Sequence, residues 1–110
     1  MSLGDRIVAA VTPIVPVCMA NVYTGDAEEY CEFNATEIPD AYGGNRPWAI
    51  RYLVQLHWYF PLRSDPRAVK RQIRQVIMAQ TGFTCPTVTD ASDREGGHLV
   101  FEFEAVDGEV

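Results

Sequence analysis

From Trp48 to Phe60 the chain reads WAIRYLVQLHWYF, thirteen residues with no glycine, proline or acidic side chain. Alternate positions separate into two sets. Trp48, Ile50, Tyr52, Val54, Leu56, Trp58 and Phe60 are almost wholly apolar, whereas Ala49, Arg51, Leu53, Gln55, His57 and Tyr59 are mixed. Successive side chains on a strand point to opposite faces, and a helix would scatter both sets around its cylinder. Aromatic and β-branched residues also suit a pleated, half-buried surface. The pattern predicts a long central strand with one core face.

The remaining periodicities fall around it. Asp5 is placed to cap a short helix carrying Ile7, Val8 and Val11, which Pro13 and Pro16 end. A first strand is predicted over the segment ending at Tyr23, followed by a Thr24-Gly25-Asp26 turn in which Gly25 supplies a positive φ. Glu28 to Glu37 alternates as a second strand, with Cys31, Phe33 and Ala35 on one face and Tyr30, Glu32, Asn34 and Thr36 on the other. These two strands are expected to form an antiparallel hairpin. Ile38 to Pro47, with two prolines and Gly43-Gly44, reads as a long loop. Asp65-Pro66 is a helix start, and Val69, Ile73, Val76 and Ile77 recur on one side of the helix that Gly82 closes. Phe83 to Thr89 is a short strand broken by Pro86, and Thr89 to Gly97 is turn-rich. HLVFEFEA then alternates, with Leu99, Phe101 and Phe103 inward and His98, Val100, Glu102 and Glu104 outward; the DGEV tail should fray. This order predicts one α+β domain: a mostly antiparallel sheet of four to five strands, with two helices packed on one face.

Composition narrows the setting. The 110 residues suffice for one core without metal or disulfide support, and no apolar run reaches the ~18 residues of a membrane span. The amino terminus lacks the features of a signal peptide. Cys18, Cys31 and Cys85 are odd in number and widely spaced, which fits reduced thiols and no zinc pattern. The net charge of −6 argues against nucleic acid as the main partner. Arg67, Lys70, Arg71 and Arg74 nevertheless form a basic stripe on the outer side of the second helix, leaving the rest of the chain at −10 once those four charges are set aside. Such a stripe is either a solvated helix face or a contact for an acidic surface. The sheet face carrying Arg51, Gln55, His57, Glu32, Asn34, Glu102 and Glu104 among Tyr30, Leu53, Tyr59 and Val100 is too apolar for mere solvation and too polar for a second core. It suits a subunit interface or a wide binding surface.

Catalytic signatures are absent. His57 and His98 are the only histidines, and no zinc, phosphate-loop or Gly-x-Ser-x-Gly motif occurs. Cys31, His57 and Asp93 could converge as a triad, but a core cysteine explains Cys31 more simply. His57 reads as a strand residue making one hydrogen bond, His98 as a turn contact, and Glu102 with Glu104 as an outward pair. No catalytic, cofactor or metal residue is assigned, and the chain is not expected to be an enzyme.

The succession as a whole has a likeness. It runs from an amino-terminal helix through Tyr23-Thr24-Gly25, YCEFN at Tyr30–Asn34 and a long Tyr52-x-x-Gln55 strand. An amphipathic helix closing in Gly82-Phe83 follows, then Asp93…His98-Leu99-Val100-Phe101-Glu102-Phe103. This resembles the tail-terminator or tail-completion proteins of long-tailed phages and prophages, over nearly the full length and through diffuse motifs. The long Asp40–Pro47 loop and the proline after Cys85 depart from that pattern. The resemblance implies a structural protein of the virion tail, assembled in the bacterial cytoplasm. It also implies a ring, typically of six subunits, that ends tail-tube polymerisation and meets the head-side connector, with DNA only passing through its lumen. The partners would be further copies of itself, the tail-tube protein and connector proteins, with no membrane and no cofactor. Candidate subunit-interface residues are Arg51, Gln55, His57, Arg67, Lys70, Arg71, Arg74, Glu102 and Glu104. The alternative is a small intracellular binding module, dimeric or not, that uses the mixed sheet face for a peptide or small ligand.

Overall fold

The computed structural model describes residues 1–38 and 50–107. Its elements are α1 (Leu3–Val11), β1 (Cys18–Ala20), β2 (Tyr30–Ile38), β3 (Ile50–Phe60), α2 (Arg67–Met78), β4 (Thr87–Asp90) and β5 (Gly97–Asp107). One five-stranded sheet has the order β1-β2-β3-β5-β4, antiparallel except at β1. This is the expected α+β architecture. Trp48 and Ala49, the Asp40–Pro47 loop and the last three residues of the tail lie outside the described residues.

The central strand holds as read. Val54, Leu56, Trp58 and Phe60 are buried, and the register carries their face onto the neighbours, with Cys31 beside Trp58, Phe33 beside Leu56, and Leu99, Phe101 and Phe103 along β5. Leu3, Ile7 and Val11 of α1 and Ile73 and Ile77 of α2 close this face into a single core. Val69 packs against it, while Val76 stays half-buried at its margin. Trp58 is 1% exposed, and its indole N–H donates to Glu29 Oε2 at 3.0 Å, so the polar edge of the largest core side chain is satisfied.

Both helix starts use the anticipated chemistry in shifted roles. Ser2, not Asp5, caps α1: its hydroxyl accepts from Asp5 N–H (3.1 Å), and the Asp5 carboxylate accepts from Ser2 N–H (3.2 Å). Asp65 Oδ1 accepts from Arg67 N–H at 3.1 Å, just ahead of α2. Gly82 takes the positive φ of 82° four residues beyond Met78, the last residue of α2, and a Cβ there would stand 2.9 Å from Val106 O. Its own carbonyl accepts from Val106 N–H. Phe83 bridges Ala105, and β4 begins directly after Pro86.

The expected β1–β2 hairpin is wrong. β1 is three residues long and runs parallel to β2, with Cys18 opposite Cys31 and Ala20 opposite Phe33. The reversal comes at Asn21, whose φ of 67° turns the chain while its N–H bonds Phe33 O at 2.7 Å. Asparagine tolerates that left-handed conformation better than most residues. Residues 21–29 then return along the chain: Tyr23 N–H donates to Glu32 Oε2 (2.7 Å), and the Tyr23 hydroxyl accepts from Ala27 N–H (3.0 Å). Gly25 has no positive φ. It is glycine because a Cβ would collide with the Tyr23 ring.

Candidate functional site

The sheet face opposite the helices has no layer covering it among the described residues. The register sets Tyr30, Tyr59 and His98 in one row, Glu32, His57 and Val100 in the next, then Asn34, Gln55 and Glu102, then Thr36, Leu53 and Glu104. All five candidate residues expected here, Arg51, Gln55, His57, Glu102 and Glu104, do share this face, and each meets a neighbour. Gln55 Nε2 donates to Glu102 Oε2 at 2.9 Å. Arg51 Nε stands 3.7 Å from Glu104 Oε1 with both side chains about half exposed, a pair worth at most ~1 kcal/mol. Leu53 and Val100 are half-buried between them. With three carboxylates, Glu32, Glu102 and Glu104, against the Arg51 guanidinium, the face is acidic overall.

At one end of this face an aromatic column forms. Ring centroids are 4.6 Å apart for Tyr23 and Tyr30, 4.8 Å for Tyr30 and Tyr59, and 4.2 Å for Tyr59 and His98. Burial, and then the Glu32 charge, push the Tyr30 and Tyr59 hydroxyls above the ordinary phenol range. His57 Nδ1 and His98 Nε2 approach to 2.9 Å, a hydrogen bond between the two rings. Burial is the main cause that lowers the His98 pKa, with His57 next, against the opposing pull of Asp93, Glu32 and Asp90. Beyond the column a cleft of about 520 Å³ is lined by Tyr30, Tyr59, Phe60, Leu62, His98, Arg63 and the carboxylates Glu28, Asp93 and Glu95, among others. Arg63 is already bonded to Glu28 at 2.8 Å.

The basic stripe lies on the other layer. Arg67 and Arg71 are exposed on α2, whereas Lys70 and Arg74 are half-buried along its flank. Asp65 takes the Arg67 guanidinium at 2.7 Å, so an acid does neighbour the stripe and offsets part of its charge. The Asp90 carboxyl of β4 is held down by its bonds to Ser92 and, to a lesser degree, by the Lys70 charge. Arg74 Nε is out of water without a hydrogen-bond partner among the described residues. The nine candidate residues thus form two patches on opposite layers.

The conceivable Cys31–His57–Asp93 triad does not assemble. Cys31 is fully buried on the core face, where burial pushes its thiol far up, and His57 is on the opposite face. What residue-by-residue reading missed is the His57–His98 contact. Both belonged to outward-facing sets, but only the β3–β5 register, with His57 opposite Val100 and Tyr59 opposite His98, puts the rings within reach.

Among the described residues no helix is long and apolar enough to cross a membrane. No protein-family model matches the chain, and no curated protein matches its sequence.

Proposed function

We propose that this protein is a structural component of a phage or prophage tail, of the tail-terminator type, assembling into a ring that ends the tail tube and joins the head-side connector. The observation that carries this reading is the pairing of two unlike patches: an acidic, partly apolar open sheet face on one layer and a basic helix flank on the other. Rings arise from heterologous contacts, in which one patch of each copy meets a different patch of the next, and opposite charge on the two patches favours that pairing over like-to-like contact. The α+β order and the resemblance in motif succession over nearly the full length support it. The tail-tube and connector proteins are the further partners, the bacterial cytoplasm the place of assembly and the virion tail the final location.

The test is oligomeric state. Arg67→Glu with Arg71→Glu is the suitable variant, because both side chains are exposed whereas reversing half-buried Arg74 would also disturb packing. The parent should form oligomers by light scattering at high protein concentration, weakened by salt; the double variant should be monomeric with unchanged circular dichroism. A parent that stays monomeric at every concentration removes the ring in favour of the second reading, a binding module. That reading is favoured by the cleft beside Tyr30, Tyr59 and His98.

A further inference from the structure

His57 Nδ1 and His98 Nε2 stand 2.9 Å apart on adjacent central strands, and both side chains are half-buried. At that distance the contact is a hydrogen bond, so one facing nitrogen carries a proton and the other a lone pair. Two neutral imidazoles meet this requirement, and so do one imidazolium and one imidazole. Two imidazolium groups do not, because both facing nitrogens then carry N–H groups and neither can accept. We propose that the His57–His98 contact is a pH-sensitive latch on the open sheet face, closed while at most one imidazole is charged and broken when both are. The latch does not depend on the assembly proposed above.

The surroundings oppose the second charge without forbidding it. Burial first, and then His57, hold the His98 pKa below its ordinary 6.5, against the pull of Asp93, Glu32 and Asp90. Glu32 also stands opposite His57 in the β2–β3 register. Tyr30 and Tyr59 stay neutral throughout, since burial raises both hydroxyls. Glu95 and the ion-paired Glu28 and Arg63 line the cleft that His98 borders. The β3–β5 ladder runs unbroken past the pair, so the backbones hold and the imidazoles separate by turning about their side-chain bonds. Tyr59 stacks on His98 at 4.2 Å and on Tyr30 at 4.8 Å. A turn of His98 therefore removes the end of the aromatic column and alters the cleft wall in one step. Two imidazolium charges also offset the excess of Glu32, Glu102 and Glu104 over Arg51, so the acidic face loses its net charge in acid.

The experiment follows the imidazole nitrogens of the full chain by nuclear magnetic resonance, from about pH 8 to about pH 4. The expected result is a nitrogen–nitrogen coupling across the hydrogen bond, together with Overhauser contacts between Tyr59 and His98, both lost in the step that charges the second imidazole. In His57→Gln the residue facing His98 cannot become charged, and the Tyr59–His98 contacts should survive the charging of His98. His98→Gln puts the same question from the other side through the Tyr59–Tyr30 contacts, should His57→Gln lose its fold. Stability gives an independent reading. Below its ordinary value His98 binds fewer protons in the folded chain than in the unfolded one, so stability falls as pH falls through 6.5. The urea midpoint of the parent should therefore drop between about pH 7.5 and pH 5, and His98→Gln should remove its share of that drop. A pair that takes both charges with its coupling intact, a pair that never takes the second, or loss of the Tyr59 contacts in folded His57→Gln as in the parent overturns the latch.

Discussion

At the scale of single residues, stability concentrates in Trp58. It is buried in the cluster that contains Ile73 and Ile77, its ring stacks on Phe60 at 4.1 Å, and its N–H is bonded to Glu29. Trp58→Ala removes the largest fully buried side chain and leaves a cavity, so a loss of about 3–5 kcal/mol is expected in urea unfolding. Against a total of about 5–15 kcal/mol for a domain, that is severe. A variant melting within a few degrees of the parent would mean that the face of β3 has been misassigned. The thiols offer a second check. Cys18 and Cys31 are buried and burial pushes them up, Cys18 to about 11, whereas Cys85 is exposed. All three are free. A thiol reagent should therefore modify one group quickly in the native protein and three after unfolding without reductant. Two or more fast native groups would contradict the burial, and fewer than three in total would reveal a bridge.

At the scale of elements, the capping and turn carboxylates link structure to pH. Asp5 is held below the usual range by Ser2, Asp65 is held at about 2 by its bonds to Arg67, and Asp90 is held down by Ser92. Their folded values lie under the unfolded ones, so between the two the unfolded chain binds more protons and stability rises with pH. Their contribution is complete above about pH 4–5 and is lost as pH falls through the folded values. The urea midpoint should fall from pH 5 to pH 2, and Asp65→Asn should make that fall shallower; an unchanged slope would show that Asp65 contributes nothing. Elements with a strong period were legible in the sequence: β3 from its alternation, α2 from Ile73 and Ile77, β5 from Leu99, Phe101 and Phe103. The place of β1 was legible too, but its length and direction were not, because three residues carry too little pattern and the direction depends on the positive φ of Asn21, a choice fixed by the bond to Phe33 O. The open face was legible as a set of side chains. The His57–His98 contact was not, since it depends on cross-strand register, which no local pattern states.

At the scale of the whole molecule, charge is divided between layers, and that division separates a ring from a symmetric dimer. In a dimer through the open face the same patch meets itself, so the helix stripe is irrelevant; in a ring each contact needs both patches. Two exposed-site variants tell these apart. Arg67→Glu with Arg71→Glu turns the outer part of the stripe acidic, and Glu102→Lys with Glu104→Lys turns the sheet face basic. Both pairs lie on exposed side chains, and the contacts they give up, Arg67 with Asp65, Glu102 with Gln55 and Glu104 with Arg51, are surface ones, so unchanged circular dichroism of each variant checks that the fold is kept. Each variant alone should be monomeric, because its altered patch repels the unaltered one on the next copy. Mixed in equal amounts, they should assemble again: the acidic stripe of one meets the basic face of the other, and the remaining contact is the parental one. The restored species must alternate the two variants and so hold an even number of subunits. Its dissociation should sharpen with salt as the Debye length shrinks from about 10 Å at 0.1 M to about 3 Å at 1 M. If the stripe variant assembles as well as the parent while the face variant does not, the interface is like-to-like and the ring is wrong. If the mixture stays monomeric while the parent forms oligomers, the two patches do not meet each other.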